Sequence, residues 1–186
     1  MGWRKPKFGI NWSNTLTHDD ANLLFHADED FLTFFQENQK KLENSFIILV
    51  GDHGMRFGSV SQTTLGKREI KNPLLQITVP KFLRENKELM RNLYENAQRL
   101  VTHYDIYATL NDILNFGLPS NFTDFSEKEV LEKNENNGTS LLRPFSEKYQ
   151  KRTCRNIPID TSYCLCEYEK KEITDKKLGK AAGARF

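Results

Sequence analysis

Asp52 and His53 are the residues of this chain best suited to chemistry. They follow the apolar run Phe46-Ile47-Ile48-Leu49-Val50 and lie between Gly51 and Gly54. Carboxylate oxygen and imidazole nitrogen are both good ligands for zinc and manganese, whereas calcium prefers oxygen ligands alone. Neighbouring residues reach one ion only if the backbone bends between them, and Gly54 permits that bend together with a close backbone approach. The pattern therefore predicts a two-donor loop for a divalent metal, zinc or manganese rather than calcium. The competing reading is a plain hydrogen-bonded turn, because Asp and Gly are common in loops.

The elements around the loop have to position it. Residues 46–50 are apolar without alternation, which predicts a strand buried on both faces of a parallel sheet, with Asp52 and His53 outside its carboxyl end. Before it, Asp19 or Asp20 is placed to cap a helix in which Leu24, Ala27, Phe31, Phe34 or Phe35, and Leu42 recur at helical spacing, a stripe expected to cover the sheet. Lys7 to Thr17 is compatible with a short strand and a loop. After the metal loop, Ser59 to Lys71 is polar with Gly66 inside it and is read as a loop bordering the site. Leu74 to Val79, between Pro73 and Pro80, is a second strand. Leu89, Leu93, Ala97 and Leu100 mark a helix with one apolar face. Asp105 is read as the cap of a further helix over residues 106–115, ended by Gly117 and Pro119. His103 precedes that helix and is read as an exposed residue rather than a ligand.

Gly51-Asp52-His53-Gly54 resembles the metal-binding loop of the alkaline phosphatase superfamily, which includes sulfatases, nucleotide phosphodiesterases and phosphoethanolamine transferases. The longer strings GDHGMRFG, GKREIKNPLL and TVPKFLREN are similar to those of an animal family, abundant in nematodes, that carries a sulfatase-like domain of unknown function. The likeness runs from about Lys7 to Cys166. It implies an α/β fold, a partial alkaline-phosphatase or sulfatase-like sheet with flanking helices, followed by a cysteine-containing irregular tail. By resemblance, Asp52 and His53 are metal ligands. Lys67 looks like the lysine that neutralises sulfate or phosphate oxygens, and a solvated surface charge is the other reading. His18 corresponds to a histidine facing the ester, as a substrate contact or acid for the leaving group; alternatively His18 and Asp19 only form a helix entry. The substrate implied is a phosphate or sulfate ester.

The superfamily mechanism also needs an early metal-binding carboxylate and a nucleophile, Thr or Ser in phosphate enzymes and a modified Cys or Ser in sulfatases. Neither motif is found in the sequence. The expectation is a C-terminal part of a longer hydrolase-like protein, inactive alone. A non-catalytic, extracellular, glycosylated interaction protein on the same fold is the alternative. The expected organisation is the sulfatase-like part over 1–118, a polar linker over 119–153, a cysteine-stapled segment over 154–166 and a lysine-rich disordered tail over 167–186.

Composition narrows the class. At 186 residues, with 38% hydrophobic and 28% charged residues, the chain can build a core, and a net charge of +2 is too small to argue for a nucleic-acid partner. No stretch approaches the roughly 20 apolar residues of a membrane helix, and the first residues lack the apolar region of a signal peptide. Asn11-Trp12-Ser13, Asn121-Phe122-Thr123 and Asn137-Gly138-Thr139 are glycosylation acceptor triplets, and Cys154, Cys164 and Cys166 lie close together in a polar segment. A disulfide there would substitute for packing, with a zinc site as the rival reading. These features point to the extracellular space or the secretory lumen.

Overall fold

The structure, a computed structural model, describes residues 6–126, 138–145, 151–157 and 159–165. They form a mixed α/β arrangement of four helices and one two-stranded sheet.

Asp20 opens the first helical stretch by accepting from the Asn22 backbone N–H, as its short carboxylate and extended backbone favour. A tight-wound segment, Ala21–Ala27, leads into helix α1, Asp28–Leu42. Three acidic residues, Asp28, Glu29 and Asp30, lie in the first turn of α1 and Lys40 and Lys41 in its last, which complements the helix dipole. The expected covering role of α1 is corrected. None of its residues is buried, and Phe31 and Phe34 keep 43% and 51% of their surface exposed. The upstream segment with Phe8, Ile10 and Trp12 has no strand and leaves all three exposed.

Strand β1, Ile47–Val50, pairs with β2, Leu75–Thr78, in antiparallel register from Ile47 opposite Thr78 to Val50 opposite Leu75. The expected parallel, doubly buried strand is thus corrected. The chain leaves β1, makes one short helix and returns along its neighbour, a path that needs no crossover and reverses direction. Val50 remains 45% exposed, so the apolar run reflects more than burial within the described residues.

That short helix is α2, Thr64–Lys71, in the stretch expected to be a loop. Thr63 caps it, its hydroxyl accepting from Gly66 N–H at 3.0 Å. Gly66 lies so close to the Val60 carbonyl that a Cβ has no room, which explains a glycine inside a helix. Helix α3, Lys87–Ala97, begins at Asn86, whose side chain accepts from Leu89 N–H. Leu89 is fully buried and Leu93 packs on the core, but Ala97 is exposed and Leu100 lies beyond the helix end.

Helix α4, His103–Asp112, is followed by a wider turn, Ile113–Gly117, closed by Leu118 N–H on Ile113 O. Its cap is Thr102, not Asp105. Asp105 stands three residues inside and reaches back to accept from Thr102 N–H at 2.7 Å.

The main core joins Val79, Leu83, Leu89, Phe122, Phe125 and Leu142, and a second cluster joins Leu141 and Phe145 against Leu75, Leu93 and Val101. Five of these residues come from the span expected to be a polar linker, so its described parts are core-forming. Glu127 to Asn137, the most polar part of that span, and the lysine-rich 167–186 lie outside the described residues. Cys154 and Cys164 form a disulfide, which settles the choice between disulfide and zinc for that pair; Cys166 lies outside the described residues. No helix among the described residues is long and apolar enough to cross a membrane.

Candidate metal loop

The Asp52–His53 loop is gripped on both sides. Gly51 N–H donates to Leu74 O at 2.9 Å, prolonging the β1–β2 ladder by one bond. Gly54 N–H donates to Ile70 O at 3.1 Å, which docks the loop on the end of α2. A Cβ at position 54 would run into the Glu69 backbone, so the docking requires glycine.

Within this frame the two side chains converge. His53 Nε2 lies 3.5 Å from Asp52 Oδ2, and Asp52 Oδ1 accepts from His53 N–H at 2.8 Å. The other ring nitrogen, Nδ1, sits 2.9 Å from Gly54 O. A carbonyl only accepts, so Nδ1 carries a hydrogen, and Nε2 is the ring nitrogen that lies beside the carboxylate. The imidazole is 31% exposed and the carboxylate 59%, so an ion has access. Among the described residues, however, no group of three or more His, Cys, Asp or Glu side chains is placed to hold a metal. Asp52 and His53 are thus two adjacent donors of a type suited to zinc or manganese, with water able to complete the coordination of an ion.

His18 lies near the far end of the same loop. Its ring centroid is 6.2 Å from that of Phe57, and its Nδ1–H donates to Asp19 Oδ1 at 2.6 Å. The pairing leaves Nε2 without a described partner, and the exposure of both side chains makes it of little value to stability. Lys67 is exposed in α2, and no described contact joins it or His18 to Asp52 or His53. His103, read from the sequence as simply exposed, places Nε2 2.9 Å from Gly51 O, directly behind the loop.

The profile of a family described as Protein of unknown function (DUF229) matches residues 3–186, nearly the whole chain. The chain belongs to DUF229. No curated protein and no solved structure matches it.

Sequence reasoning missed a buried polar network between α3 and α4 of this DUF229 chain. Asp105, Thr109 and Asp112 line one buried face of α4, and Asn92 and Asn96 face them from α3. Residues 139–143 run between the two helices. Helix α4 accepts from them: Thr139 N–H reaches Asp105 at 2.7 Å, Leu141 N–H reaches Thr109 Oγ1 at 2.9 Å, and Ser140 Oγ donates to Asp112 at 2.6 Å. Helix α3 donates to them: Asn92 to Leu142 O, and Asn96 to Leu141 O and Arg143 O, at 2.8 to 3.0 Å. Arg143 then forks onto Asp112 at 2.7 and 2.8 Å, and Arg152 places Nη2 on both oxygens of Asp105. The spacing of Asp105, Thr109 and Asp112, which puts them on one helical face, was the available signal.

Of the glycosylation triplets, Asn11 and Asn121 are exposed, Asn121 with a positive φ of 52°, and Asn137 is outside the described residues.

Proposed function

We propose that this chain is part of a metal-dependent hydrolase or transferase of phosphate or sulfate esters, related to the sulfatase-like members of the alkaline phosphatase superfamily, with Asp52 and His53 holding the ion. The single observation that carries the reading is the convergence of His53 Nε2 and Asp52 Oδ2 at 3.5 Å while Nδ1 is committed to Gly54 O. Imidazole ligands are commonly oriented in this way, with the second ring nitrogen tied to a neighbouring acceptor. The donor set favours zinc or manganese over calcium. Such an ion would supply positive charge against ester oxygens.

In this reading the chain's own residues have distinct tasks. Asp52 and His53 bind, and the Gly54 carbonyl holds the imidazole in its tautomer. His18, oriented by Asp19, offers Nε2 to a leaving group, and Lys67 offers an ammonium to ester oxygens. The nucleophile would be supplied by a longer protein, so these residues alone should bind the ion but turn over little or no ester. The Cys154–Cys164 disulfide supports an oxidising compartment, extracellular or lumenal.

A second reading is a glycosylated interaction protein that keeps the loop and has no chemistry. The uncovered apolar stripe of α1, with Phe31 and Phe34 exposed, favours it.

Elemental mass spectrometry on the purified full chain discriminates between them. Stoichiometric zinc or manganese, lost in both Asp52→Ala and His53→Ala, is the expected result, and a metal-free parent after reconstitution sinks the hydrolase reading. Robust hydrolysis of nitrophenyl phosphate or sulfate, abolished by Asp52→Ala, would instead show that the site is complete within this chain.

A further inference from the structure

His103 stands outside everything the metal reading uses, yet it touches the backbone that carries the ligands. Gly51 O belongs to the peptide joining Gly51 to Asp52, and His103 Nε2 is 2.9 Å from it. The carbonyl can only accept, so Nε2 carries the hydrogen and donates it. His103 is the first residue of α4, and that end of the helix is unusually well fixed. Asp105, two residues on, accepts from Thr102 N–H and its hydroxyl and from Arg152, and its side chain is fully buried. The other two anchors of the loop are backbone bonds, Gly51 N–H to Leu74 O and Gly54 N–H to Ile70 O. The His103 bond therefore joins the loop to a different, rigid element and sets the tilt of the peptide plane immediately before Asp52.

We propose that His103 is a positioning residue for the Asp52–His53 loop, acting through the Gly51 carbonyl and not as a ligand. The role in metal affinity rests on the metal reading above; the role in holding the backbone does not. The same bond separates His103 from a ligand role, since Nε2 is spent on the carbonyl and no third donor joins Asp52 and His53 among the described residues.

Two variants of the full chain test this, His103→Ala and His103→Gln, the second keeping an N–H donor at similar reach. In metal-free protein, amide hydrogen exchange across Asp52 to Gly54 should quicken about 5-fold in His103→Ala, the loss of one net hydrogen bond, and stay near the parent in His103→Gln. Exchange in α3 should not move in either variant. Calorimetric titration with zinc should show affinity about 10-fold weaker in His103→Ala, a typical effect of removing an outer support, with recovery in His103→Gln. Unchanged loop exchange in His103→Ala overturns the proposal. Loss of all zinc binding in both variants also overturns it, by making the imidazole itself a ligand. A parent that binds neither zinc nor manganese defeats the metal reading, and the exchange data then decide the positioning role alone.

Discussion

Arg152 and Asp105 lie 47 residues apart in sequence and meet with water excluded, Nη2 standing 2.9 Å from each carboxylate oxygen. Their side chains are 1% and 0% exposed, and the guanidinium lies over the Phe145 ring at 4.6 Å. The pair ties the disulfide-bearing segment to the start of α4, and through His103 to the back of the candidate loop.

Such a pair is costly to break because the surviving charge has no water to turn to. Arg152→Met should cost about 3–5 kcal/mol in urea unfolding. Asp105→Asn combined with Arg152→Met should be more stable than Arg152→Met alone, since the stranded charge is gone. A single variant with the parent's midpoint would refute the burial of this pair.

Asn96 gives its amide hydrogens to Leu141 O and Arg143 O, so Asn96→Ala leaves two inward-facing carbonyls without donors. The expected loss is about 2 kcal/mol, within the range for buried polar groups left unpaired. Tyr94→Ala, at a side chain 71% exposed two residues away, should stay within about 0.5 kcal/mol of the parent. Equal losses in the two variants would mean that α3 is not the donor wall described.

The Cys154–Cys164 bridge closes a short loop, with a sequence separation of 10, and chain-entropy reasoning assigns it about 3 kcal/mol. Lys71 Nζ donates to Cys164 O at 3.2 Å, so the bridged segment also touches the end of α2. Replacing both cysteines by serine should lower the denaturant midpoint accordingly and raise proteolytic cleavage between residues 151 and 165. An unchanged midpoint would assign the bridge no part in folding stability.

Gly54→Ala places a Cβ against the Glu69 backbone, whereas Gly9 has open space around it. Gly54→Ala should therefore loosen the loop from α2, seen as faster exchange at residues 52–56, and reduce any zinc-induced rise in melting temperature. Gly9→Ala should change neither. A parent-like Gly54→Ala would show that the loop does not dock as closely as the Gly54 N–H to Ile70 O bond requires.

Local chemistry was readable from the chain alone. An Asp cap at 19 or 20 before a helical stripe, a strand within residues 46–50, β2 held between Pro73 and Pro80, and the Leu89 and Leu93 face of α3 all follow from side-chain periodicity and from residues with restricted backbones. So did the adjacency of a carboxylate and an imidazole after a strand. What escaped were features whose partners are distant or polar. Helix α2 lacks a continuous apolar stripe, and Gly66 inside it masks the capping signal of Thr63. The direction of β1 against β2 depends on how the intervening residues fold back, which hydrophobic pattern does not encode. The span after Ser120 reads as a linker because it is rich in polar residues, and the burial of Arg143 and Arg152 depends on Asp112 and Asp105 far along the chain.

Residue order by itself determined where helices and strands can start and stop, which cysteines stand near one another, and which two side chains share the loop. Tertiary structure alone decided that Arg143 and Arg152 would be buried on Asp112 and Asp105, that His103 would support Gly51, and that the sulfurs joined would be those of Cys154 and Cys164. The physical reason is reach. Capping, turns and periodicity act within a few residues, while a buried charge is tolerated only where folding brings its partner to about 3 Å from far along the chain.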